Sequence, residues 1–293
     1  MELVRTAIEL ALSASLMLTI FAFSMRAGSA DFLFFIRERR LLLISLLSIF
    51  ALAPMVAIAV IYWIEPPLVA RVAIAAMSIS ILPPLLPWKQ LQAKGDHHYA
   101  IGLTLIVAIL AIVFVPAQAD LLGRVNHHPY GVPPGEIASY VGVIVLIPTI
   151  LGMSIAHRWK EFSLRVSIPL ARIAGFGTLL AVVVVLLSAA KDIPDIIGTR
   201  TILAMVLFNL FALGIGHLLG GPNPDRSVVL GISSACRHPA VALTIATVNY
   251  PGEKFTAAVM LCVAINLVVS TPYLRWQSRQ HAERSRQRHL DTI

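Results

Sequence analysis

The sequence predicts an all-α polytopic membrane protein of about nine transmembrane helices, and three observations lead there. Hydrophobic residues make up 58% of the 293 positions and charged residues only 13%, with a mean hydropathy of +0.83. A soluble domain is about a quarter charged, so this chain has no material for an ordinary solvated surface. Apolar stretches of about 20 residues, the length that crosses a bilayer core, recur from one end of the chain to the other. No polar block is long enough for a second domain, so residues 1–293 read as one transmembrane domain with a basic tail at 276–293.

Hydropathy places the helices near 4–26, 41–64, 67–95, 98–119, 134–157, 165–190, 198–220, 226–248 and 254–274. The first is read as a span rather than a cleaved leader. It contains Glu9, exceeds the usual length of a leader's apolar region, and is followed by Arg37, Arg39 and Arg40. The Glu136 that follows Pro133-Pro134-Gly135 caps the start of the fifth span. Arg71 and Arg172 lie close enough to span ends to snorkel to the interface. Cys236 and Cys262 fall inside apolar stretches and read as packing residues rather than a disulfide.

Charge sets the expected topology. One set of alternate loops, with the tail, holds fourteen basic residues: Arg26, Arg37, Arg39, Arg40, Lys94, Arg158, Lys160, Arg165, Arg226, Arg275, Arg279, Arg284, Arg286 and Arg288. The other set holds five: Arg5, Arg124, Lys191, Arg200 and Lys254. The excess marks the first set as cytoplasmic, which puts the N-terminus outside and the C-terminus inside a cell (inner) membrane. The net charge of +8 therefore points to anionic lipid at the tail and not to nucleic acid.

Two spans are broken. In the third, Leu82-Pro83-Pro84-Leu85-Leu86-Pro87 interrupts the apolar run between a first half at 67–81 and a second half starting at Trp88. Prolines lack an amide hydrogen and push the preceding residue out of helical geometry. In the eighth, Ser233-Ser234-Ala235-Cys236-Arg237-His238-Pro239 sits mid-span. An arginine at a helix centre costs about 2.5–3.5 kcal/mol on insertion scales, so it faces a bundle interior or a wet cavity. Glu9 is a candidate partner for it. One broken span in each half of the chain is the pattern of carriers built from inverted repeats.

At these residues the chain resembles the bile acid:sodium symporter family. The likeness runs through Met25-Arg26-Ala27-Gly28-Ser29-Ala30-Asp31-Phe32, Ala53-Pro54, Lys94-Gly95-Asp96, Gly214-Ile215-Gly216-His217-Leu218-Leu219-Gly220 and Gly231-Ile232. It implies a core with two discontinuous crossing helices beside a panel domain, a small organic anion as substrate, and sodium as the coupling ion. The family's sodium-binding pattern departs here. Its Ser-Asn positions fall near Leu86 and Pro87, its glutamate on Ser233, and its Gln-Asn pair on Arg237 and His238. Of the hydroxyls that follow, Thr104 keeps its type and its partner becomes Ala100. Hard cations are served by carboxylate and carbonyl oxygens, whereas arginine has no acceptor atom and keeps its proton.

The expectation is therefore a carrier for a small organic anion without the usual sodium sites, not an enzyme, and with no cofactor. Its candidate site residues are Arg237, His238, Ser233, Ser234, Lys89, Gln90, Thr104 and Asn209, with helix breaks at Pro83, Pro84, Pro87 and Pro239. Three couplings stay open: Arg237 as a fixed charge in place of the ion, proton coupling through His238, or sodium bound elsewhere. Ser234 and His238 have the spacing of a hydroxyl–imidazole pair, yet no exposed-nucleophile motif surrounds them. His97-His98 and His127-His128 read as solvated loop residues rather than metal ligands. The rival class is a non-transporting membrane sensor or assembly subunit that retains the fold.

Overall fold

A computed structural model describes residues 14–15, 17–26, 29–83, 86–125, 135, 139, 142–249 and 255–290. Glu9, Pro84, His127, His128 and Glu136 lie outside these residues. Among the described residues the secondary structure is helical throughout, without a strand.

The order is α1 (17–24), α2 (Ser29–Arg37), α3 (Arg39–Ile64), α4 (Leu68–Ile79), α5 (Leu86–Gln92), α6 (His97–Val125), α7 (Gly142–Arg158), α8 (Lys160–Ala189), α9 (Ile193–Ile196), α10 (Thr199–Leu219), α11 (Pro224–Ala235), α12 (Pro239–Asn249) and α13 (Phe255–Leu290). Among the described residues, five stretches are long and apolar enough to cross a membrane: Arg39–Ile64, His97–Asp120, Thr199–Leu219, Pro224–Thr247 and Phe255–Arg284. The outer faces suit lipid. On α8, Ile173, Phe176 and Leu187 are exposed, as are Leu43, Met55 and Trp63 on α3. An apolar surface of this extent needs a hydrocarbon environment. The chain is an all-α polytopic membrane protein.

Two boundaries differ from the sequence reading. The segment read as a loop after the first span carries a helix, α2, and the last helix continues through Leu290 rather than ending near 274. Its polar extension is rich in Arg, Gln and Glu, which are good helix formers even where hydropathy falls.

The broken spans are explicit. Helix α4 ends at Ile79, Ser80 turns extended (ψ 162), and the chain restarts as α5. Helix α11 ends at Ala235, Cys236 is extended, and α12 begins at Pro239. Proline is tolerated in a first helical turn, where amide hydrogens lack internal partners anyway. Pro239 is the first residue of α12 and Pro87 lies in the first turn of α5, whereas Pro83 lies in the break itself. Helix α4 packs on α12 and α5 on α11. The two breaks are joined directly, the His238 amide donating to the Ile81 carbonyl at 2.9 Å. The broken helices therefore cross at their interruptions.

Helix α10 lies tightly along α11. A Cβ on Gly216 would come within 2.5 Å of Ser234 Oγ, and one on Gly220 within 2.4 Å of the Ser227 Cα. Small residues four apart allow such backbone approach between helices in lipid. A second group holds α1 against α7 and α8: Gly152 faces the Phe21 carbonyl and Ser163 Oγ donates to the Met25 carbonyl.

Several loops of the more basic set meet at one end. Arg226 pairs with Glu38 at 2.7 Å and lies over the Phe34 ring. The Asp96 amide donates to the Asp225 carbonyl at 3.0 Å, and His281 lies 3.4 Å from the Asp225 carboxylate.

Candidate functional site at the helix crossing

Proline chemistry builds the crossing. A proline gives no amide hydrogen to the carbonyl four residues earlier, and a buried carbonyl left without a donor is costly. In α3 the backbone passes through a π-helical turn over Ser48–Leu52, with the Ala53 amide donating to Ser48, and Pro54 follows. This leaves the carbonyls of Ile49 and Phe50 without helical donors. Gln118 of α6 donates its side-chain amide to Phe50. Arg237 donates through Nη2 to Ile49 at 2.8 Å. The same guanidinium donates through Nη1 to the Ser80 carbonyl at 3.2 Å. Ser80 is followed by Pro83 and Pro84, neither of which has an amide hydrogen to offer. In the second broken helix, Pro239 frees the carbonyl of Ala235, which accepts from Asn266 Nδ2 at 3.1 Å.

Arg237 is only 3% exposed, so its charge rests on these carbonyls rather than on water. Its Nε has no hydrogen-bond partner among the described residues. The same holds for Nδ1 of His238 and Oε1 of Gln90, both on buried residues of the crossing. Buried polar atoms are nearly always paired, so three unpaired ones at the crossing mark it as unusual.

The remaining candidates fall into different places. Gln90, on α5, donates Nε2 to the Val229 carbonyl and to Ser233 Oγ, both at 2.9 Å, and so ties the two broken helices together. Ser234 Oγ donates to Leu230 in its own helix and shares a hydrogen with Ser48 Oγ at 2.8 Å. Asn209, on α10, accepts from Asn266 Nδ2 at 2.6 Å and donates to Met205 of its own helix. Thr104 is buried and donates to the Ala100 carbonyl one turn back in α6. Lys89 is exposed on α5, one residue from the buried Gln90.

The structure thus brings Arg237, His238, Ser233, Ser234 and Gln90 to the crossing, with Asn209 one hydrogen bond away through Asn266. Sequence reasoning passed over Ser48, Ser80 and Asn266. Pro54 was the available signal for the first, since a proline within a span announces carbonyls in need of a donor.

Crossed discontinuous helices inside a lipid-facing bundle, with polar groups gathered at the interruptions, are the architecture of polytopic secondary transporters. The profile of the Sodium Bile acid symporter family matches residues 14–196, more than half of the chain. The chain belongs to this family, whose members are solute transporters and not enzymes. The match takes in the first broken helix and stops before the second. No curated protein matches the chain.

Proposed function

We propose that this protein is a secondary carrier for a small organic anion in which Arg237 serves as a built-in cation at the helix crossing, so that uptake needs no sodium gradient. One observation carries the reading: a buried guanidinium bridges the Ile49 and Ser80 carbonyls, and its Nε has no partner among the described residues. Freed carbonyls at such breaks are the usual ligands of a coupling cation, and here a permanent cation of the chain itself uses them.

The donor set opposes a sodium ion at the same place. A hard cation needs several oxygen ligands, commonly including carboxylate. The crossing supplies a guanidinium, an imidazole, amides and hydroxyls, with two of its carbonyls already accepting from Arg237. Nε, without a partner among the described residues, suits a carboxylate or sulfonate, and the positive end of α12 begins two residues on. His238 Nδ1 and Gln90 Oε1 offer further partners to a substrate. In the membrane the N-terminus lies outside and the C-terminal basic helix lies in the cytoplasm, near anionic headgroups.

The test is uptake of a panel of carboxylates and sulfonates into proteoliposomes, for wild type and Arg237→Ala, with and without sodium and pH gradients. Sodium-independent uptake that falls about tenfold to a hundredfold in the variant is expected, matching the 1.5–3 kcal/mol of a charged hydrogen bond. Uptake driven by sodium and indifferent to the mutation overturns the proposal. Uptake that follows the pH gradient and is lost in His238→Ala transfers the coupling to a proton.

The burial of Arg237 also favours a second reading, a non-transporting sensor or assembly subunit in which the guanidinium cross-links three elements. Folded, correctly inserted protein that moves none of the anions selects it.

A further inference from the structure

We propose that Asp31, His97 and His98 form a binding site for one divalent transition-metal ion of the zinc type, apart from the helix crossing. In sequence the two histidines lack a companion carboxylate. The fold supplies it from the first turn of α2, 67 positions before His98.

The carboxylate is held firmly. Asp31 is 3% exposed. Helix α2 packs directly on α6, and a Cβ on Gly102 would come within 2.6 Å of the Asp31 carbonyl oxygen. Phe34 and Phe35 of α2 pack against the ring of Tyr99, which follows the histidines. Asp31 Oδ1 meets His98 Nδ1 at 2.7 Å, while His97 and His98 are both exposed and open to an ion from solvent.

One ligand atom from each residue lies within 4.8 Å of the other two. Donors on a tetrahedral zinc at 2.0–2.2 Å stand about 3.4 Å apart. The separations lie within about 1.4 Å of that spacing, and the two histidines are exposed rather than packed. Two imidazoles and one carboxylate select a borderline metal over magnesium or calcium, which favour all-oxygen shells. Three protein ligands leave a position for water or an outside ligand. An ion there would pin α2 to the start of α6, directly after the Lys94-Gly95-Asp96 turn that leaves the first broken helix.

The experiment titrates the full-length protein, purified in detergent on a tag free of histidine, with Zn2+ by calorimetry and with Co2+ by visible absorption. One ion per chain is expected, with a cobalt band of low-symmetry coordination. His97→Ala leaves the Asp31–His98 bond in place, and His98→Gln keeps a hydrogen-bonding group beside Asp31, so both variants retain the fold, as thermal unfolding would confirm. Each should weaken binding at least about tenfold, the loss that even an outer-shell partner causes. A wild-type chain that takes up no stoichiometric ion, or an affinity unchanged in either variant, overturns the site.

Discussion

The two broken helices reach the same place by opposite chemistry. The first is broken by backbone: prolines after Ser80 withhold amide hydrogens, and the segment contributes bare carbonyls at Ser80 and Ile81. The second is broken around side chains and supplies donors, the Arg237 guanidinium and the His238 amide, to those carbonyls. At the interruption itself the first segment offers the acceptors and the second brings the hydrogens, while Gln90 returns two hydrogen bonds from the first broken helix to the second. Interrupted helices are tolerable at membrane depth only where such groups are satisfied by protein or by a wet cavity, and here each interruption answers the other.

That comparison is open to attack at its charged member first. Arg237→Lys keeps the charge but not the planar fork, and a lysine ammonium on a flexible stem is a poor bridge between two fixed carbonyls. Uptake should fall about tenfold or more, as expected for losing a charged hydrogen bond of 1.5–3 kcal/mol. Full activity of the lysine variant in proteoliposomes would reduce the role of Arg237 to charge alone.

A subtler change acts on the acceptor side. Pro54→Ala restores an amide hydrogen to α3, which can then claim the Ile49 or Phe50 carbonyl in competition with Arg237 or Gln118. The helix itself gains from losing an interior proline. Thermal stability in detergent should hold or rise while uptake drops several-fold, about 1 kcal/mol at the crossing. A loss of both together would show that the π turn is held by packing and not by the proline.

The smallest effect belongs to Lys89→Gln. Lys89 is exposed, next to the buried Gln90 that bonds across to α11. An exposed charge that forms no ion pair among the described residues changes stability by less than about 0.5 kcal/mol, and uptake should stay within about twofold. A large loss of uptake would extend the anion path along α5.

Much of this was legible before any coordinates. Hydropathy located the spans, and the proline run and the mid-span arginine located both interruptions. Helix α2 was not visible, because a nine-residue helix ending in arginine has neither the length nor the polarity of a span. The end of α13 was misplaced for the complementary reason, since hydropathy tracks lipid contact whereas the backbone follows helix propensity. Asn209 was picked out as a buried polar residue of a span. Its partner Asn266 was not, although it links Asn209 to the end of α11.

By itself the sequence determined the class of protein, the positions of its broken helices and the presence of a cation that lipid cannot accept. The carbonyls of Phe50, Ser80 and Ala235 each lie four residues before a proline, a signal that the sequence reading left unused. Only the tertiary structure decided which donors answer them, because those donors come from 68, 157 and 31 positions away. Helical periodicity is local, whereas hydrogen bonds act through space. The same limit hid Asp31 from His98 and separated the buried Gln90 from the exposed Lys89, a distinction set by the helix that packs against them.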